Sequence, residues 1–149
     1  MIKILFVCHG NICRSPMAEF VCKSMAQGEG LYVESKAVSR EEIGNPIYPR
    51  AAETLRRHHI PFGGHRARQI TAEDYEVFDY IVVMEEYNLP RLMRIIGADP
   101  LNKVHRLLDF TDTPGDIEDP WYSGNFETVY QQIYDGCTAL LKHIKNTEE

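Results

Sequence analysis

The chain has 149 residues, of which 44% are hydrophobic and 26% charged, enough apolar material for one domain, residues 1–149, to bury a core without disulfide or metal staples. Sixteen Lys and Arg stand against 22 Asp and Glu, a formal net charge of −6, which argues against a nucleic-acid partner bound on a broad surface. No apolar run approaches the roughly 18–20 residues that cross a bilayer, so no membrane partner is expected.

Residues 2 to 7 form an apolar run broken only by Lys3, the pattern of a buried parallel strand. A loop follows over 8 to 14, and Ser15-Pro16 reads as an N-cap and first helical position. Met17, Phe20, Val21, Ser24 and Met25 then recur at helical spacing and predict one buried face. Residues 31 to 37 alternate as a second strand. A helix is predicted over 50 to 59, a third strand over 78 to 84, and a helix over 86 to 96 that ends at Gly97. A short strand near 103 to 107 leads into an acidic loop from Asp109 to Asn125. The last helix carries a stripe of Phe126, Val129, Tyr130, Ile133, Cys137, Leu140, Leu141 and Ile144. Strands alternating with helices predict an α/β fold, a single domain with a central, mainly parallel four-stranded sheet and helices on both faces. Ligands of such sheets bind beyond the carboxyl ends of the strands.

The loop after the first strand reads Cys8-His9-Gly10-Asn11-Ile12-Cys13-Arg14-Ser15. A cysteine and an arginine bracket five residues between a buried strand and a helix N-terminus. That terminus offers unpaired N–H groups and partial positive charge, which favour an anion. Successive loop amides can curl into a nest around phosphate oxygens, and Gly10 permits the tight turn. Arg14 supplies a planar fork for two oxygens. The same field favours a thiolate at Cys8, a nucleophile facing the bound phosphoryl group. One buried cysteine after a strand is ordinarily inert packing; here strand, glycine, arginine and Ser-Pro agree on holding a tetrahedral oxyanion. His9 would face the mouth of the curled loop.

A phosphatase also needs an acid to protonate the leaving oxygen. Asp109, Asp112, Asp116, Glu118 and Asp119 are all available in the acidic loop, and a solvated acidic loop is the ordinary alternative. Context favours Asp119: Pro120 stiffens the turn, and Trp121 and Tyr122 could sandwich an aryl leaving group.

The stretch from Val7 to Glu19, V-C-H-G-N-I-C-R-S-P-M-A-E, resembles the signature of the low-molecular-weight protein tyrosine phosphatases. The likeness continues in E-I-G-N-P at 42 to 46, H-R-A-R-Q-I-T at 65 to 71 and F-D-Y-I at 78 to 81. It resumes in E-D-P-W-Y at 118 to 122 and F-E-T-V-Y-Q-Q at 126 to 132, so it spans essentially the whole chain. The resemblance implies Cys8 as nucleophile, Arg14 as phosphate clamp and Asp119 as general acid, with no cofactor and no metal. It implies that Asn11 holds the loop's shape and that Ser15 donates to the Cys8 thiolate. His65 would support that network with Ser35 as its partner. Cys13 would be able to form a reversible disulfide with Cys8, packing within the loop being the alternative. The substrate implied is a phosphotyrosine-containing protein or small aryl phosphate, with inorganic phosphate as product and inhibitor. Many members of the family place an aromatic wall residue where this chain has Glu41, and an acid there would disfavour peptides with acidic flanks.

Three relatives or rivals are set apart by particular residues. Arsenate reductases that share the loop relay a disulfide through mid-chain cysteines, and residues 23 to 136 hold none. Protein-arginine phosphatases favour threonine at the position of Ile12. A phosphopeptide-binding module without turnover would lack the nucleophile or the acid, whereas this chain has both. Zinc at Cys8 and Cys13 would need a second ligand pair at suitable spacing, which is missing. With no export signal at the start, Cys8, Cys13, Cys22 and Cys137 read as reduced thiols of a cytoplasmic protein, the last two as core residues.

Overall fold

A computed structural model describes residues 1–26 and 30–148. Four strands, β1 (Ile2–Cys8), β2 (Leu31–Ala37), β3 (Tyr80–Val83) and β4 (Val104–Arg106), form one sheet in the order β2-β1-β3-β4. All three pairings are parallel, so the sheet is wholly rather than mainly parallel. β1 lies in the interior, and its alternating side chains feed two cores. Ile4, Phe6 and Cys8 enter one, together with α1 (Arg14–Met25) and α6 (Phe126–Glu148). Leu5 and Val7 enter the other, with Tyr75 of α3 (Asp74–Val77) and Leu92 of α4 (Leu89–Ile96). A strand covered on both faces must be apolar at successive positions, which is why residues 4 to 7 lack the polar alternation of a half-exposed strand.

The stripe on α6 packs as its spacing predicts. Val129, Ile133, Cys137 and Leu140 are fully buried, and Gly136 lets the helix approach Leu107 so closely that a built Cβ would lie 2.5 Å from its Cγ. Replacing fully buried Phe6 with alanine is expected to lower unfolding free energy by about 3–5 kcal/mol. Urea unfolding of the two proteins measures it, and a loss below about 1 kcal/mol would mean that the pocket collapses around the smaller side chain.

Several boundaries differ from those read off the sequence. Cys13, not Ser15, precedes the first helical residue of α1, and it makes no side-chain cap. Ser15 lies inside the first turn, where Pro16 is also tolerated because its missing N–H would have no intrahelical partner. α2 (Pro49–Arg57) stops two residues early, with His59 in the left-handed region at φ 57°. The helix predicted over 86 to 96 divides into a 3₁₀ turn at Glu86–Asn88 and α4, which has Pro90 in its first turn. Within the acidic segment, Leu107–Phe110 forms a 3₁₀ turn and Pro120–Ser123 the short helix α5.

Candidate active site

The β1–α1 loop lies where a parallel sheet puts its ligands, beyond the carboxyl end of an interior strand. It is tied down from outside by backbone bonds: Val38 N donates to Cys8 O at 3.0 Å, Ser39 N to His9 O at 3.0 Å, and Tyr48 N to Ile12 O at 2.7 Å. Asn11 holds the sharpest turn at φ 60°, a conformation asparagine tolerates better than most side chains. Its carbonyl accepts from His65 Nε2 at 2.6 Å, and its side-chain oxygen accepts from Arg68 N at 3.2 Å. Asn11 is therefore fixed at both its backbone and its side chain.

That fixing reaches the sulfur. Asn11 Nδ2 donates to Ser15 Oγ at 2.8 Å, and Ser15 Oγ lies 2.9 Å from Cys8 Sγ. Because the serine oxygen already accepts from the amide, its own proton is left for the sulfur. Asn11 N–H donates to the same sulfur at 3.3 Å. Two donors thus converge on Cys8 Sγ, the arrangement that stabilises a thiolate.

Arg14 is buried and donates to Ile117 O at 3.0 Å and to the Glu85 carboxylate. Its Nη2 lies 3.8 Å from Asp119 Oδ2. Burial is the largest influence on this group and opposes its charge, yet Cys8, Glu85 and Asp119 together hold its pKa above the ordinary arginine value. The guanidinium therefore remains charged where a phosphate would sit. Cys13 behaves in the opposite sense: burial first, then the neighbouring Cys8, pushes its thiol pKa far up, with Arg14 only partly offsetting them. Burial thus disfavours a resting thiolate at Cys13.

The five acids of the following segment are separated by geometry. Asp109 and Asp116 pair with Arg106, and Asp116 also accepts from Glu86 N. Asp119 alone of the five lines the cleft above Cys8. As the residue before α5, it accepts from Trp121 N on Oδ1 at 3.0 Å, which leaves Oδ2 towards Arg14.

The cleft has a volume of about 750 Å³ and is floored by Cys8, Gly10, Ile12, Cys13 and Arg14. His9 and Glu41 stand at its mouth, His9 Nε2 donating to Glu41 Oε2 at 2.8 Å. Trp121 and Tyr122 line it too, both exposed; the Trp121 ring leans on Tyr48 at 4.5 Å between centroids, so it stands as a supported wall. Among the described residues, no group of three His, Cys, Asp or Glu side chains is arranged to hold a metal ion.

A family model for the low molecular weight phosphotyrosine protein phosphatases matches residues 3–149. The chain belongs to this family of hydrolases. It is 42% identical to the low molecular weight protein-tyrosine-phosphatase YfkJ of Bacillus subtilis, over all of this chain and 99% of that one. The crystal structure of YfkJ superposes with a TM-score of 0.94, covering 100% and 98% of the two chains. The human low molecular weight phosphotyrosine protein phosphatase is 44% identical over 94% of each chain. A Drosophila arginine phosphatase structure, 32% identical, superposes at 0.86 over 97% of this chain and 98% of its own.

One pairing in the phosphatase differs from that expected. Ser35 Oγ does not meet His65; it donates to Glu19 Oε1 at 2.6 Å, and Glu19 also accepts from Lys23. His65 instead acts through the Asn11 carbonyl. Glu85, Tyr87, Arg91 and Glu42 line the cleft and were not singled out from the sequence. The first three follow β3, whose carboxyl end opens on the same edge as that of β1, so the fold's own ligand rule points to them. Away from the cleft, Arg57 pairs with Glu53 and Glu127, and Arg68 with Glu34.

His65 also gives the phosphatase a pH dependence. Burial, the leading cause, holds its pKa below the usual histidine value, although the bond to Asn11 and the charge of Glu19 act the other way. The unfolded chain binds this proton near pH 6.5 while the folded one resists it until lower pH. Stability is therefore expected to fall as pH drops through about 6.5. His65→Gln should make the loss between about pH 7 and 5.5 shallower in urea unfolding, with the half-buried His105, also held below the usual histidine value, contributing to what remains; an unchanged slope would show that His65 titrates alike in both states.

Proposed function

We propose that the chain is a protein-tyrosine phosphatase acting through a cysteinyl-phosphate on Cys8, with Asp119 as acid and then base, over a functional domain of residues 1–149. The observation that carries this reading is the convergence of Ser15 Oγ and Asn11 N on Cys8 Sγ, with Asp119 Oδ2 near the Arg14 fork. Arg14 and the loop amides from His9 to Arg14 take the phosphate dianion. Cys8 Sγ attacks phosphorus in line, and the P–O bond to the aryl group breaks as protonated Asp119 gives its proton to the departing oxygen. The resulting Asp119 carboxylate removes a proton from water, whose oxygen attacks phosphorus. The S–P bond breaks, inorganic phosphate leaves, and Ser15 donates to the returning thiolate.

Ile12, buried in the floor of the cleft, supports phosphotyrosine over phosphoarginine, since the arginine-specific relatives favour threonine there. The free thiols fit a cytoplasmic setting. The same reading makes inorganic phosphate a competitive inhibitor as well as the product. The test is steady-state hydrolysis of para-nitrophenyl phosphate by reduced protein in chelator at mildly acidic pH, with and without added phosphate. Turnover that persists in chelator and is inhibited competitively by phosphate is expected. Phosphate binding without turnover would replace the enzyme with a phosphate-binding module.

A further inference from the structure

The strand order divides the rim of the cleft by charge. In β2-β1-β3-β4, the segment after β2 lies on one side of the Cys8 loop and the segments after β3 and β4 on the other. The β2 side contributes Glu41, held by His9, and Glu42, packed against Gly10. The β3 side contributes Tyr87 and, four residues on, Arg91. Arg14 already has Glu85 and faces Asp119. Arg91 is exposed and, among the described residues, its guanidinium has no hydrogen bond or ion pair.

Its position does not serve the helix that carries it. Arg91 falls in the first turn of α4, which holds no acidic residue, and a cation there opposes the helix dipole. This unpaired cation and an exposed aromatic ring, 73% accessible at Tyr87, line the same cleft, where residues flanking a bound phosphotyrosine would run.

We propose that Arg91, with Tyr87 beside it, is a subsite for a carboxylate side chain of the substrate, making the phosphatase prefer phosphotyrosine peptides that are acidic on the β3 side and basic on the Glu41–Glu42 side. This rests on the phosphatase reading above and adds direction to it. A peptide of mixed charge laid the right way meets opposite charges at both rims, and the same composition reversed meets like charges at both. A uniformly acidic peptide gains at Arg91 what it loses at Glu41.

Two phosphotyrosine peptides of equal composition test it, one with lysines before and glutamates after the phosphotyrosine, the other reversed. At low salt, one order should exceed the other in kcat/KM by about two- to fivefold, the range of one or two exposed ion pairs, with the preference shrinking as salt is raised. Arg91→Glu should abolish or invert that ratio. Arg94→Glu, the same charge change on the same helix but away from the cleft, should keep it. A ratio of two peptides within each protein cancels differences in active fraction. Native protein that hydrolyses para-nitrophenyl phosphate yet shows no order preference, or an Arg91→Glu protein that retains it, overturns the subsite alone. Failure to hydrolyse either peptide or para-nitrophenyl phosphate overturns the phosphatase reading itself.

Discussion

Cys8→Ser is expected to lower turnover of para-nitrophenyl phosphate by about 10⁴- to 10⁶-fold, the scale of removing a catalytic nucleophile, while phosphate still binds. The reason lies in what surrounds the sulfur. Its partners, Ser15 Oγ and Asn11 N–H, are donors; neither is a base able to take a proton from a serine hydroxyl. A thiol can supply the anion in such a site and an alcohol without a base cannot. The proposed phosphate cradle is Arg14 and backbone amides, and the substitution leaves those groups in place although it changes the sulfur that the Asn11 N–H meets. Turnover and phosphate binding by calorimetry, measured on the same preparation, separate the two consequences. Turnover surviving in Cys8→Ser would remove Cys8 from the mechanism, and loss of phosphate binding as well would point to a loop that has collapsed.

The parts of the site that were legible in the sequence are those carried by contiguous residues. Cys8 to Ser15 are covalently adjacent, so strand, loop, arginine and helix start appear in order and their common task can be read directly. The parts that were not legible depend on what strands bring together. Glu85 meets Arg14 only because β3 lies beside β1, and nothing in Met84-Glu85-Glu86 distinguishes that carboxylate from its neighbour. Arg91 was hidden for the same reason, inside a predicted helix whose register against the cleft is set by the 3₁₀ turn before it. Ser15 illustrates a different failure. Ser-Pro is the usual signal of an N-cap, but here the serine hydroxyl is directed to Cys8 rather than to its own helix, a local rule set aside at a functional position. The expected Ser35–His65 pair failed because Glu19, on the buried side of α1, takes the serine proton. The fold was more accessible than the site details, since apolar runs at 2–7 and 78–84 and the stripe on α6 each report burial without needing a partner.

Asp119→Asn should separate the acid's chemistry from its structural role. Asp119 Oδ1 caps α5 by accepting from Trp121 N, so alanine would lose the cap as well as the proton, a further cost of about 0.5–2 kcal/mol in stability. Asparagine keeps an acceptor for the cap and has no proton to give. With phenyl phosphate, whose leaving oxygen needs a proton, the first step is expected to slow by about 10²–10⁴-fold. With an aryl phosphate whose phenol is acidic enough to leave as the anion, that step should stay close to the native rate. The second step loses its base for both substrates, so the cysteinyl-phosphate should accumulate and the activated substrate should release one burst of phenol per active site before a slow steady state. Steady-state rates alone would merge the two steps; rapid-mixing measurement of the burst keeps them apart. An equal slowing of the burst for both leaving groups would mean that Asp119 positions Arg14 or the substrate instead of donating the proton, and the general acid would then have to come from another carboxylate lining the cleft, Glu41, Glu42 or the Arg14-bound Glu85.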